Sequence, residues 1–394
     1  MDASALSKLL SPQGWALLGV LPPYHPDAAM AISERLRSEG FDTDLVAAAL
    51  TQSRLRAKAY EKFGDFADGM LFTPEGLEQA TRLTVAAHHA QRFRRAGATR
   101  VADLTCGIGA DSLAIAGMGI GVLAVEIDEL TAALATVNLR HFEHAEVRHG
   151  DGLAVDLAAE GVDAIFADPA RRTRSGSRRH DPAAYSPPLD DVLALREGIP
   201  ALGVKVGPGI PHSAVPDDAE AQWVSVDGTV VEAGLWFGPL ASGGAGRSAL
   251  VLRGDSAATL SDDGARAAVG PLDSYLFEPD GAVIRAGLVA TLAGRLGAHL
   301  VDPTIAYVTA SSPSSADPAL ATGYRVLDSM PFNLKKLRAY LRARDVGRVT
   351  IKKRGTAVTP EQLRSQLSLR GEDSATLVLT RLAGAQHVIV VEAL

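Results

Sequence analysis

The stretch 101–114, VADLTCGIGADSLA, restricts what this chain can fold into more than any other. Val101–Leu104 is a short apolar run of strand character, Cys106–Gly109 holds two glycines, and a helical pattern starts at Asp111. Strand, tight glycine turn and helix in direct succession open a βαβ unit, which needs a parallel partner strand. Strand and helix signals keep alternating through VLAVEID (122–128), AEVRHGDGL (145–153), VDAIFADPARR (162–172) and ALGVKVGPG (201–209). That alternation predicts an α/β fold, a doubly wound Rossmann-like parallel sheet with helices on both faces. Ligands in such a sheet bind at the carboxyl ends of the strands, beside the glycine turn.

Gly107 and Gly109 let the backbone approach a ligand closely, and the helix that follows presents free N–H groups to it. A dinucleotide site would want a third glycine where Ser112 stands. Asp103, four residues before Gly107, would repel a pyrophosphate and attract an ammonium group, such as that of S-adenosylmethionine. Plain βα turns also carry glycine pairs, so the later strands have to decide. Glu126 ends the second strand about one βα unit beyond Asp103, placed to accept hydrogen bonds from both ribose hydroxyls. Asp128 reads instead as a cap for the helix 129–138.

Asp103-x-x-x-Gly107-x-Gly109 resembles the first motif of class I S-adenosylmethionine-dependent methyltransferases. The resemblance implies cofactor contacts from Asp103, Thr105, Cys106, Gly107, Gly109, Glu126 and Ile127, and from Asp151 to the adenine amino group. A simple turn aspartate between Gly150 and Gly152 explains Asp151 nearly as well. The stretch 70–93 reads as a helix led by Thr73 and Pro74. Phe72 and Thr73 there are either cofactor contacts or packing residues.

The fourth strand ends in Asp168-Pro169. Family members that methylate nucleic-acid amines carry Asp/Asn/Ser-Pro-Pro-aromatic here, and this chain departs from them at Ala170-Arg171. The Asp168 carboxylate and the Pro169 carbonyl could both accept hydrogen bonds from an exocyclic amine and aim its lone pair at a methyl group. These two are the expected catalytic residues. Arg171 and Arg172 open RRTRSGSRRH (171–180), five arginines without an acid, which suits an RNA backbone. Lys205, at the end of the fifth strand, is either a substrate contact or a strand-end charge.

The chain has 394 residues, a net charge of −7 and one cysteine, Cys106, which excludes an internal disulfide and a cysteine metal cluster. It also disfavours pyrimidine C5 methylation, which usually needs a cysteine nucleophile facing the base. The start, MDASALSKLL, shows no basic leader before an apolar core, so a cytoplasmic protein is expected. Between 331 and 370 stand eleven Lys and Arg residues against Asp345 and Glu361, a footprint of nucleic-acid binding inside an acidic whole. A solvated basic helix face is the alternative. The expected domains are an N-terminal helical cap (1–70), a methyltransferase domain (71–255) and a basic α/β domain (256–394).

FTPEGLEQAT, DLTCGIGADS, AVEID, ADPARR, YLFEPDGAVIRAG and IKKRG together resemble bacterial class I methyltransferases with a C-terminal THUMP-like domain. The methyltransferase part is similar to trimethylguanosine synthases and other RNA guanine methyltransferases. THUMP domains bind RNA, so the resemblance implies a tRNA or rRNA substrate, methylated on a base amine such as guanine N2. A methyltransferase of a protein or small molecule, and a non-catalytic RNA-binding factor, are the competing readings.

Overall fold

A computed structural model of the chain describes residues 3–170, 185–313 and 318–394. It forms two compact bodies, residues 1–206 with 236–242, and 207–235 with 243–394.

The first body opens with four helices, α1 (Ala3–Leu10), α2 (Pro12–Val20), α3 (Ala29–Ser38) and α4 (Thr43–Phe63). Ser11 and Asp42 cap α2 and α4 by accepting from Gly14 N and Leu45 N. Their buried Leu9, Leu17, Leu45, Ala49 and Phe63 join one core with Ile108, Leu113 and Leu139 of the parallel sheet's turn and helices. The helical segment is therefore packed into the α/β body. Its basic residues are only partly a solvated face, because Arg56 donates to Met70 O at 2.9 Å and Lys62 bonds inward as well.

The expected single helix over 70–93 is two, α5 (Pro74–Gln79) and α6 (Leu83–Arg95). Lys62 Nζ causes the break to hold: it donates to Leu77 O, Glu78 O and Ala80 O at 2.7–2.8 Å, occupying carbonyls that would otherwise continue the helix. Burial pulls the Lys62 pKa down to about 8. Residues 70–73 lie between two side-chain amides. Gln52 bonds both the N–H and the C=O of Phe72, and Asn138 bonds both those of Leu71.

The sheet of this body comprises β1 (Arg100–Asp103), β2 (Gly121–Glu126), β3 (Ala145–His149), β4 (Ala164–Ala167) and β5 (Leu202–Val206). Their order is β3-β2-β1-β4-β5, with every neighbouring pair parallel. Helices α7 (Ala110–Gly117) and α8 (Glu129–Leu139) connect the first three strands, and α9 (Leu189–Ala194) precedes β5. The chain direction of strand addition reverses between β1 and β4, the place where a doubly wound sheet opens a crevice.

The second body holds β6 (Glu220–Val226), most of β7 (Thr229–Trp236), β8 (Gly246–Arg253) and β9 (Ser256–Ser261). β9 pairs antiparallel with β8. A seven-stranded sheet follows, built from β10 (Tyr275–Pro279), β11 (His299–Leu300), β12 (Val308–Ala310), β13 (Ala321–Pro331), β14 (Val346–Lys353), β15 (Asp373–Leu382) and β16 (Ala385–Ala393). After β10 come two helices, α10 (Gly281–Arg285) and α11 (Val289–Leu296), separated around Gly287, whose φ is +73°. Helices α12 (Leu334–Arg342) and α13 (Pro360–Leu367) start at Asn333 and Thr359, both of which accept cap hydrogen bonds as their residue types predict. Leu337, Leu341, Leu363 and Leu367 face the core, while Lys335, Lys336, Arg342 and Arg364 are exposed.

Candidate active site

The glycine turn after β1 takes the strained backbone its glycines allow, with φ +55° at Gly107 and +87° at Gly109. Gly109 sits at the N-cap of α7 with no side-chain cap, which leaves the first N–H groups of the helix for other partners. Cys106 N donates to Val125 O at 3.0 Å, tying the turn to β2. A Cβ at Gly107 would meet nothing within 4 Å, so the turn faces open space there. Gly76 of α5 lies on its other side, where a Cβ would come within 2.7 Å of Ile108 Cγ2. The Cys106 thiol is buried, and burial pushes its pKa well up.

Asp103 is 1% exposed and accepts from Ser112 Oγ at 2.6 Å and from Thr105 N at 3.4 Å. Burial raises its pKa to about 7. Ser112, in the place a dinucleotide turn would give to glycine, thus supplies a hydroxyl to a buried carboxyl. Glu126 at the end of β2 accepts from Gly107 N at 3.0 Å and from Asp128 N at 2.9 Å, so one carboxylate spans the glycine turn and the start of α8. Asp128 caps α8 through Thr131 N, as the residue type implied. Ile127 between them is 72% exposed, an apolar side chain standing free beside the carboxylate. Asp151 is exposed and accepts from Leu153 N at 2.9 Å, which is turn chemistry. The adjoining Gly152 is required by packing, since a Cβ would lie 2.3 Å from Leu104 O. Phe72 is fully buried with its ring 5.6 Å from that of Phe63, so it is a packing residue.

Asp168 and Pro169 follow β4 directly, and Asp168 N donates to Thr105 Oγ1 at 2.6 Å. The side chain of Asp168 is 29% exposed and pairs with Lys205 Nζ. Ala170 and Ser186 exchange backbone hydrogen bonds at 2.8 and 3.1 Å. Arg171 and Arg172 lie outside the described residues. Lys205 is 5% exposed and turns inward, donating also to Thr81 Oγ1 at 2.9 Å. Thr81 in turn donates to Asp111 Oδ2 at 2.7 Å, and His89 Nδ1 lies 2.8 Å from Asp111 Oδ1. Burial works to raise the Asp111 pKa, yet the His89 bond and the nearby Lys205 charge outweigh it and hold the carboxyl low.

Thr81, His89 and Asp111 were not singled out by the sequence as site residues. His89 stands next to His88 on α6, and among the described residues no group of three or more His, Cys, Asp and Glu side chains could hold a metal. Its partner Asp111 looked like an ordinary first-turn acid. No local signal marks Thr81 as facing inward, because the break before it is made by Lys62 of α4.

Two uncharacterized S-adenosylmethionine-dependent methyltransferases of Mycobacterium tuberculosis, from strains CDC 1551 and H37Rv, are each 36% identical to this chain over 344 residues. The match covers 83% of this chain and 90% of each relative. The chain belongs to the S-adenosylmethionine-dependent methyltransferases. The methyltransferase also matches the crystal structure of a candidate methyltransferase from Porphyromonas gingivalis W83 in fold, with a TM-score of 0.73 at 20% identity over 94% of this chain and 100% of the other. A THUMP domain-like family model matches residues 321–393, from β13 to β16, and a domain of unknown function, DUF8688, matches residues 2–59. The methyltransferase therefore uses S-adenosylmethionine, and its glycine turn, open at Gly107 and flanked by two carboxyl groups and exposed Ile127, suits that cofactor. Among its described residues no helix is long and apolar enough to cross a membrane.

Proposed function

We propose that this methyltransferase modifies RNA, tRNA or rRNA, at a base exocyclic amine such as guanine N2. The observation that carries this reading is the partly exposed carboxylate of Asp168, a residue whose backbone N–H donates to Thr105 Oγ1 of the glycine turn. A hydrogen-bond acceptor is thereby fixed beside the turn in which a methyl donor would lie. In this reading Asp103 attracts the ammonium end of the cofactor, and Glu126 takes the ribose hydroxyls. Ile127 covers the adenine ring, Asp151 accepts from its amino group, and residues 105–109 line the rest. The bound cofactor supplies an electrophilic methyl on a sulfonium. The Asp168 carboxylate and the Pro169 carbonyl accept the two amine hydrogens, which turns the nitrogen lone pair toward that methyl. Once the nitrogen–carbon bond has formed and the sulfur–carbon bond has broken, the nitrogen sheds a proton and Asp168 takes it.

The RNA part of the reading is supported by the THUMP-like match and by the basic residues within it. Lys335, Lys336, Arg342, Arg344, Arg348, Lys353, Arg364 and Arg370 are all exposed within residues 331–370. We read 256–394 as the RNA-holding domain and 1–70 as the helical cap of the catalytic one.

The test is transfer of labelled methyl to total RNA from a strain lacking the enzyme. Wild type should label RNA and Asp168→Ala should lose at least about a hundredfold in rate, with affinity for S-adenosylhomocysteine kept. RNA bound by wild type without any transfer would favour the non-catalytic binding factor. Label in protein instead would overturn the substrate.

A further inference from the structure

The geometry points to Lys205 as a positioning residue for methyl transfer, its ammonium holding the Asp168 carboxylate ionised and fixed in direction, with Thr81 bracing the ammonium from behind. This rests on the role proposed for Asp168. The parallel register of β4 and β5 pairs Ala167 with Val204, so Lys205 is the next residue opposite Asp168. The Lys205 side chain is 6% exposed and that of Asp168 is 29% exposed. The ammonium thus approaches from the protein side and leaves the carboxylate partly open to the crevice.

Direct contacts and a chain of hydrogen bonds behind them fix Lys205. It meets Asp168 and Thr81 directly, and Thr81 is anchored by Asp111, which His89 holds on its other oxygen. Thr81 reaches this position because Lys62 ends α5 just before it. Among the described residues, Asp103 of β1 acts on Asp168, and Asp111 of α7 and Lys62 of α4 act on Lys205. Two of these are buried carboxyl groups. Removing the Lys205 ammonium takes a buried positive charge away from Asp168 and leaves the buried Asp103 carboxyl acting on it, so Asp168 would keep a proton to higher pH. A protonated Asp168 donates a hydrogen bond where the target amine needs an acceptor, so the rate should fall on the acid side of the profile and return as the pH is raised.

The experiment is the pH profile of labelled methyl transfer to the RNA described above, with S-adenosylhomocysteine affinity measured alongside. For Lys205→Met the expected result is an acid limb moved up by about one pH unit or more, so that the rate at a fixed pH on that limb is down about tenfold or more, and cofactor affinity within about threefold of wild type. Thr81→Val should give a smaller shift in the same direction, and Thr81→Ser should restore the wild-type profile. These two also keep the inference testable should Lys205→Met fail to fold. An unmoved acid limb in either Lys205→Met or Thr81→Val overturns the inference while the amine reading survives. A loss of rate that follows loss of cofactor affinity at every pH also overturns it, as a purely structural role. No transfer by wild type overturns the amine reading, and this inference with it.

Discussion

Asp103 gives the sharpest thermodynamic prediction. Its carboxyl has a pKa of about 7 in the cofactor-free fold against 3.8 ordinarily, with burial as the main cause. The folded protein therefore holds this proton more tightly than the unfolded chain does. A group raised in this way stabilises the fold fully below the unfolded value near 4, and that contribution is lost as the pH climbs through about 7. The gap between the two values amounts to ~4 kcal/mol, of which roughly 2.5 kcal/mol falls between pH 5 and 8. Asp103→Asn has no proton to lose, so its stability minus that of wild type should rise by roughly 2.5 kcal/mol across that window. Titrating groups remote from Asp103 cancel in this difference, while Asp111, whose charge helps to raise the Asp103 pKa, is part of what is read. The assay is urea unfolding followed by tryptophan fluorescence at half-unit pH steps, with both proteins free of cofactor. Parallel stability curves for the two proteins would refute the reasoning, because they would mean that Asp103 titrates alike in the folded and unfolded states.

Gln52→Ala should lower stability by ~2–4 kcal/mol, since it strips both backbone groups of buried Phe72 of a partner; differential scanning calorimetry reads this directly. A triple Lys335→Glu, Lys336→Glu, Arg342→Glu change on α12 should weaken RNA binding. It should also flatten the slope of log affinity against log salt by ~2, leaving the melting temperature within a degree or two. Filter binding across a salt series checks both effects.

Much of this arrangement can be read in the chain because it depends on local patterns. The glycine turn, the acid-tipped strands β1 and β2, and the caps at Asp128, Asn333 and Thr359 all follow from residue types acting within a few positions. The break between α5 and α6 does not, because a lysine about fifteen residues upstream in α4 makes it. Glu126 shows the same limit from the other side. Its place at the strand tip was legible, but its bond to Gly107 N nineteen positions away was not. Lys205 is the clearest case, since a lysine ending a strand looks like a surface charge until β4 brings Asp168 against it. The eleven-residue strand β13 went unread because its polar residues blur any alternation, and its partners β10 and β16 lie far off in sequence. Proximity set by sheet order was what the sequence withheld.

The central claim is that the cofactor lies across the glycine turn between Asp103 and Glu126. Calorimetric titration with S-adenosylhomocysteine tests it most directly, using wild type and Glu126→Ala. Wild type should bind one equivalent, and Glu126→Ala should bind at least about tenfold more weakly through loss of charge-assisted hydrogen bonds to the ribose. Equal affinity in the two proteins, or no heat from folded wild type, would contradict the account.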